Sequence, residues 1–125
     1  MQERRLYPRF PAEWSVRLTR DAAEWHDAEA RSVSVAGLEF SASRVTVEAL
    51  ADHGHLLMPG DSIQLRFIDG QGAPAIEAPV GFLIKQVRRV SQAEYIVGAE
   101  FTGLSSIQVR QIELAVDQLA RQRRR

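Results

Sequence analysis

Three features of the sequence predict a mainly β fold: a small antiparallel β-barrel of about six strands with a C-terminal amphipathic α-helix. Apolar and polar residues alternate in several short stretches. Turn signals rich in Gly, Pro and Asp separate those stretches, and after Gly103 the apolar spacing changes from two residues to three and four. The chain has 125 residues, 45% of them hydrophobic, which is enough to fill one core. No linker, internal repeat or low-complexity tract divides it, so residues 1–125 are expected to form a single domain.

Residues 1–11 read as a flexible arginine-rich arm, because Pro8 and Pro11 disfavour a regular ladder. Trp14, Val16 and Leu18 alternate with Ser15 and Arg17, the signature of a half-buried strand. A second strand is expected over Glu29 to Val35. The chain then turns at Ala36-Gly37, where glycine supplies backbone freedom, and Leu38 and Phe40 resume the alternation. A short helix is expected around Val47 to Ala51, followed by a loop through Asp52-His53-Gly54-His55. Pro59-Gly60-Asp61 turns into a strand carrying Ile63, Leu65 and Phe67. Asp69-Gly70-Gln71-Gly72 reads as a hairpin-type connection, and strands over Ala75 to Val90 and Tyr95 to Phe101 are joined at Ser91-Gln92-Ala93-Glu94. A closing helix is expected over 105–123, capped by Ser105 or Ser106. Its core stripe is Val109, Ile112, Val116 and Leu119; Ile107 and Leu114 fall off that stripe and are expected to widen the contact with the barrel, the alternative being a surface offered to a partner.

Composition excludes several classes of function. Without cysteine there is no disulfide framework, thiolate zinc site or cysteine nucleophile. No apolar run is long enough to span a bilayer, and no signal-peptide pattern opens the chain, so a cytoplasmic protein without membrane insertion is expected. Formal net charge is +0, which argues against a field suited to a nucleic acid polymer. Positive charge is nevertheless concentrated at the two ends, in Arg4, Arg5 and Arg9 and in Arg121, Arg123, Arg124 and Arg125. His53 and His55, with His26 and Asp52, form no recognised ligand spacing, so no metal is expected. No nucleophile elbow or phosphate-cradling glycine loop occurs, so an enzyme is not expected. Trp14, Trp25 and the phenylalanines read mainly as core residues. Basic residues do not interleave with them as a single-strand groove would need.

The segments with the most chemical content are Arg4-Arg5-Leu6-Tyr7-Pro8-Arg9 and Ser32-Val33-Ser34-Val35-Ala36-Gly37. Together they resemble the two halves of the PilZ signature, RxxxR followed by (Asp/Asn)xSxxG, with Arg5 and Arg9 in the first half and Ser34 and Gly37 in the second. Ser32 stands where the family usually has Asp or Asn. Tyr95-Ile96-Val97-Gly98-Ala99-Glu100-Phe101 and the final helix follow in the family's order, so the resemblance covers nearly the whole chain.

The resemblance implies a receptor for the bacterial second messenger cyclic di-GMP, with no separate cofactor. Arg5 and Arg9 would contact phosphate and guanine, Ser32 and Ser34 would meet guanine edges, and Gly37 would allow close backbone approach. Arg4, just before RxxxR, implies a stacked ligand pair, two molecules per site. Arginine suits this task because its planar fork donates paired hydrogen bonds to phosphate or to guanine O6 and N7. The arm would become ordered on the ligand and signal to an effector protein in a motility, pilus, polysaccharide or chemotaxis system, among which the residues do not choose. The alternative is a degenerate PilZ-type protein-interaction module that does not bind nucleotide, and Ser32 is the feature that favours it.

Overall fold

The structure is a computed structural model and describes residues 7–51, 55–68, 70 and 72–123. Its elements are β1 (Phe10–Thr19), β2 (His26–Val33), β3 (Gly37–Ser43), α1 (Arg44–Ala49), β4 (Ser62–Phe67), β5 (Val80–Arg89), β6 (Glu94–Thr102) and α2 (Ser106–Arg123). The six strands close into an antiparallel barrel in the order β1-β2-β3-β6-β5-β4, and β4 returns to β1 by pairing Val16 with Phe67 and Leu18 with Leu65. Closure leaves the sheet without a free edge. The predicted fold class is therefore the one observed.

Alternation fills the barrel. Ala12, Trp14, Val16 and Leu18 of β1 point inward and are buried, while Glu13, Ser15 and Arg17 are exposed. Trp14 meets Phe67 edge to face at 6.0 Å between ring centroids. Ser43 caps α1 by accepting from the Thr46 N–H, which starts the helix at Arg44 rather than at Val47. Ser105 caps α2 in a reciprocal box: its hydroxyl accepts from the Gln108 N–H at 3.1 Å, and the Gln108 side chain accepts from the Ser105 N–H at 3.0 Å.

Several boundaries differ from the sequence reading. β1 begins at Phe10, and Pro11 occupies a rung opposite Ser32, next to a bulge between Pro11 and Trp14. A bulge is where a strand tolerates a residue without an N–H donor. β5 starts at Val80 rather than Ala75, because Pro74 and Pro79 keep the intervening segment out of the ladder. On α2 the buried face is Ile112, Ala115 and Val116 with Leu119 beside it, whereas Val109, Ile107 and Leu114 are exposed. Ile107 and Leu114 thus do not widen the barrel contact. Trp25 is half-buried rather than core, and the Arg66 guanidinium lies over its ring at 4.9 Å, so one basic residue does pair with an aromatic.

Candidate ligand-binding site

The hairpin between β2 and β3 is held by Ser34. Its N–H donates to the Gly37 carbonyl at 2.9 Å, and its buried hydroxyl accepts from the Ala36 N–H at 3.1 Å. That hydroxyl therefore stabilises the turn.

Gly37 has a different structural reason from the one its sequence position suggests. Its φ does not lie in the left-handed region, where Gly60, Gly70, Gly72 and Gly103 are found. Instead, β6 crosses so closely that a Cβ at Gly37 would collide with the Ala99 carbonyl oxygen and lie 2.9 Å from the Glu100 Cα. The Phe101 N–H also donates to the Ala36 carbonyl at 2.9 Å, fastening β6 to the end of the hairpin. Gly37 provides room for a neighbouring strand.

Counting outward from this turn sets the register. Val33 pairs with Leu38, both inward and buried, and Ser32 pairs with Glu39 on the outer face. The row continues from Glu39 to Gly98 of β6 and from Gly98 to Gln86 of β5. Gly98 places no side chain between Glu39 and Gln86.

β1 brings the arm to the same place. Phe10 pairs with Val33 and Pro11 with Ser32, so Arg9 enters beside the hairpin, and its guanidinium lies 3.7 Å from the Glu39 carboxylate. Both side chains are about a third exposed, at 33% and 29%, so this pair adds little to stability and can be rearranged at small cost. Arg31, displaced by the bulge between Ala30 and Ser32, pairs with Glu29 at 3.1 Å, and Lys85 lies 3.8 Å from Glu100.

The fold thus brings Arg9, Ser32, Ser34 and Gly37 together at one end of the β2–β3 hairpin, while Arg4 and Arg5 lie outside the described residues. Glu39 is the residue that sequence reasoning passed over. Its signal was present, because Ser32 precedes the 34–37 turn by two residues and Glu39 follows it by two.

An open recess of about 700 Å³ runs from the opposite end of the same strands, at Trp25, His26, Ser43 and Glu94, along β2 as far as Glu29 and Arg31. It contains none of the motif residues. Asp52 and His53 lie outside the described residues. Among the described residues no group of three or more His, Asp or Glu side chains is placed to hold a metal ion, and no helix is long and apolar enough to cross a membrane.

The sequence profile of the PilZ domain matches residues 3–118. The chain belongs to the PilZ domain family. Its fold is similar to the PilZ domain of YcgR from Escherichia coli, solved with c-di-GMP, at a TM-score of 0.70 and 15% identity over 98% of this chain and 95% of that one. The MrkH–c-di-GMP complex of K. pneumonia matches with a TM-score of 0.72 and 16% identity, covering 100% of this chain and 55% of that chain. The Bacillus subtilis inhibitor of motility MotI/DgrA matches with a TM-score of 0.63 and 12% identity, covering 98% and 52%. This PilZ chain spans about half the length of the last two. No curated protein sequence matches it significantly.

Proposed function

We propose that this PilZ domain is a cyclic di-GMP receptor that binds its ligand on the outer face of the β2–β3 hairpin, with the N-terminal arginines closing over it. The observation that carries this reading is the placement of Arg9 beside Ser32 and the 34–37 turn, which unites the two halves of the motif across β1 and β2. Its guanidinium already stands against a polar face and can exchange a weak partner for a phosphate or guanine. Arg5 acts with Arg9, and Arg4 supports a second ligand molecule. Ser32 lies on the floor, Ser34 contributes by fixing the hairpin, and Gly37 by letting β6 pack against its end.

The domain has an adaptor role: ligand orders the N-terminal arginine arm that leads into β1, and the altered surface changes affinity for an effector protein. It acts in the cytoplasm and carries out no catalysis of its own. Calorimetric titration with cyclic di-GMP, with GTP and a short RNA as controls, tests the receptor reading. Saturable binding of cyclic di-GMP alone is expected. Arg5→Ala and Arg9→Ala should abolish it with unfolding midpoints unchanged, and Arg9→Lys should weaken it because the fork is lost.

A second reading is a PilZ-type interaction module that does not bind nucleotide. Ser32 favours it, being a short hydroxyl where an Asp or Asn acceptor is usual. An absence of heat from wild-type protein and cyclic di-GMP, with the fold intact, would establish this reading instead.

A further inference from the structure

The geometry points to Glu39 as the residue that reads guanine, in concert with Arg9, taking over across the strand pair the acceptor role for which Ser32 is too short. The inference rests on the receptor reading above. Guanine presents on adjacent atoms an acceptor, O6, and two donors, N1–H and N2–H. A reader must therefore offer a donor next to one or two acceptors. Arg9 and Glu39 supply that pattern, a guanidinium and a carboxylate 3.7 Å apart on one partly exposed face. The guanidinium donates to O6 while the carboxylate oxygens accept from N1–H and N2–H.

Ser32 cannot replace this carboxylate. A hydroxyl has one oxygen on a short side chain, whereas a carboxylate accepts two parallel bonds. Glu39 is its direct cross-strand partner, so an acceptor on either residue rises from the same patch of the outer face. Gly98, the next residue in the row, leaves the far side of Glu39 without a side chain of its own. The composite reader also selects the base. Adenine places a donor, N6–H, next to an acceptor, N1, which sets N–H against guanidinium and a lone pair against carboxylate.

Four proteins titrated with cyclic di-GMP, cyclic di-AMP and the inosine analogue cyclic di-IMP test this: wild type, Glu39→Ala, Glu39→Gln and the double variant Ser32→Asp/Glu39→Ala. Wild type is expected to prefer cyclic di-GMP over both analogues. Glu39→Ala should weaken cyclic di-GMP by about tenfold or more, and Glu39→Gln by less, since its amide oxygen still accepts one bond. The double variant should recover most of the affinity lost in Glu39→Ala, because it returns a carboxylate to the opposite side of the same pair. Unchanged or tighter binding by Glu39→Ala would overturn the assignment and show that Glu39 merely competes for Arg9. Failure of the double variant to recover, with its fold intact by circular dichroism, would also count against it. Wild-type protein that does not bind cyclic di-GMP at all would refute the receptor reading itself, a result distinct from either of these.

Discussion

Replacing Gly37 with alanine is expected to destabilise the barrel by about 2–4 kcal/mol, whether or not ligand is present. The added Cβ meets backbone on β6, the Ala99 carbonyl oxygen and the Glu100 Cα, and no side-chain rotation can relieve it. Heavy atoms rest about 3.5 Å apart, so β3 and β6 must separate by roughly 1 Å at this rung. Overpacking of this kind costs about 1–3 kcal/mol. The separation also breaks the 2.9 Å bond from the Phe101 N–H to the Ala36 carbonyl, which adds about 0.5–1.5 kcal/mol. Urea unfolding followed by tryptophan fluorescence reads the effect as a lower midpoint at constant slope, and thermal unfolding should show a fall of roughly 8–16 °C. A midpoint within about 0.5 kcal/mol of wild type would refute the argument. If that variant had also lost ligand affinity, the glycine would serve approach of the ligand rather than of β6.

Arg4→Leu is expected to shift the titration end point from two cyclic di-GMP molecules per chain towards one, because two ligands carry four phosphates and need more cations than Arg5 and Arg9 provide; a wild-type end point of one, or two retained in the variant, would contradict this. Ala22 has φ of 64°, in a turn where the Asp21 carboxylate accepts from the Ala23 and Glu24 N–H groups. Ala22→Gly should therefore raise stability by about 0.5–1 kcal/mol, read as a higher thermal midpoint, and a lower midpoint would show that the left-handed backbone costs nothing there. The same two N–H groups hold the Asp21 pKa below its ordinary value of 3.8. What the carboxylate contributes is thus present above pH 3.8 and is lost as pH falls through the lowered value, and this pH dependence should be absent from thermal midpoints of Asp21→Asn, whose amide oxygen still accepts but does not titrate.

The barrel was legible because its strands are half-buried. Trp14, Val16 and Leu18 must face one way and Ser15 and Arg17 the other, and that alternation has no alternative at helical period. Local rules misled where tertiary packing overrode them. Pro11 reads as a strand breaker, yet a bulge accommodates it in β1, and that rung positions Arg9. Trp25 reads as core, yet it lies partly open beneath Arg66. Gly37 reads as a turn residue, while its real constraint comes from β6, more than sixty residues away in sequence. Ile107 and Leu114 could not be placed by periodicity, since a helix lying on a curved barrel buries a narrower stripe than its apolar residues would allow. In the site, the motif identified Arg9, Ser32, Ser34 and Gly37, but the division of labour among them required the register. From the sequence alone Ser32→Asp should tighten binding by restoring an acceptor. With Glu39 directly opposite, that change sets two carboxylates against one another and is expected to gain little unless Glu39 is removed.

Mapping of amide chemical shifts in isotope-labelled protein titrated with cyclic di-GMP tests the location and the ligand together. Saturable shifts are expected at Arg9, Ser32, Ser34, Gly37, Glu39 and Gly98, the residues gathered on and beside the outer face of the hairpin. Shifts confined to the recess around Trp25, His26, Ser43 and Glu94, or no saturable shifts at all, would contradict this.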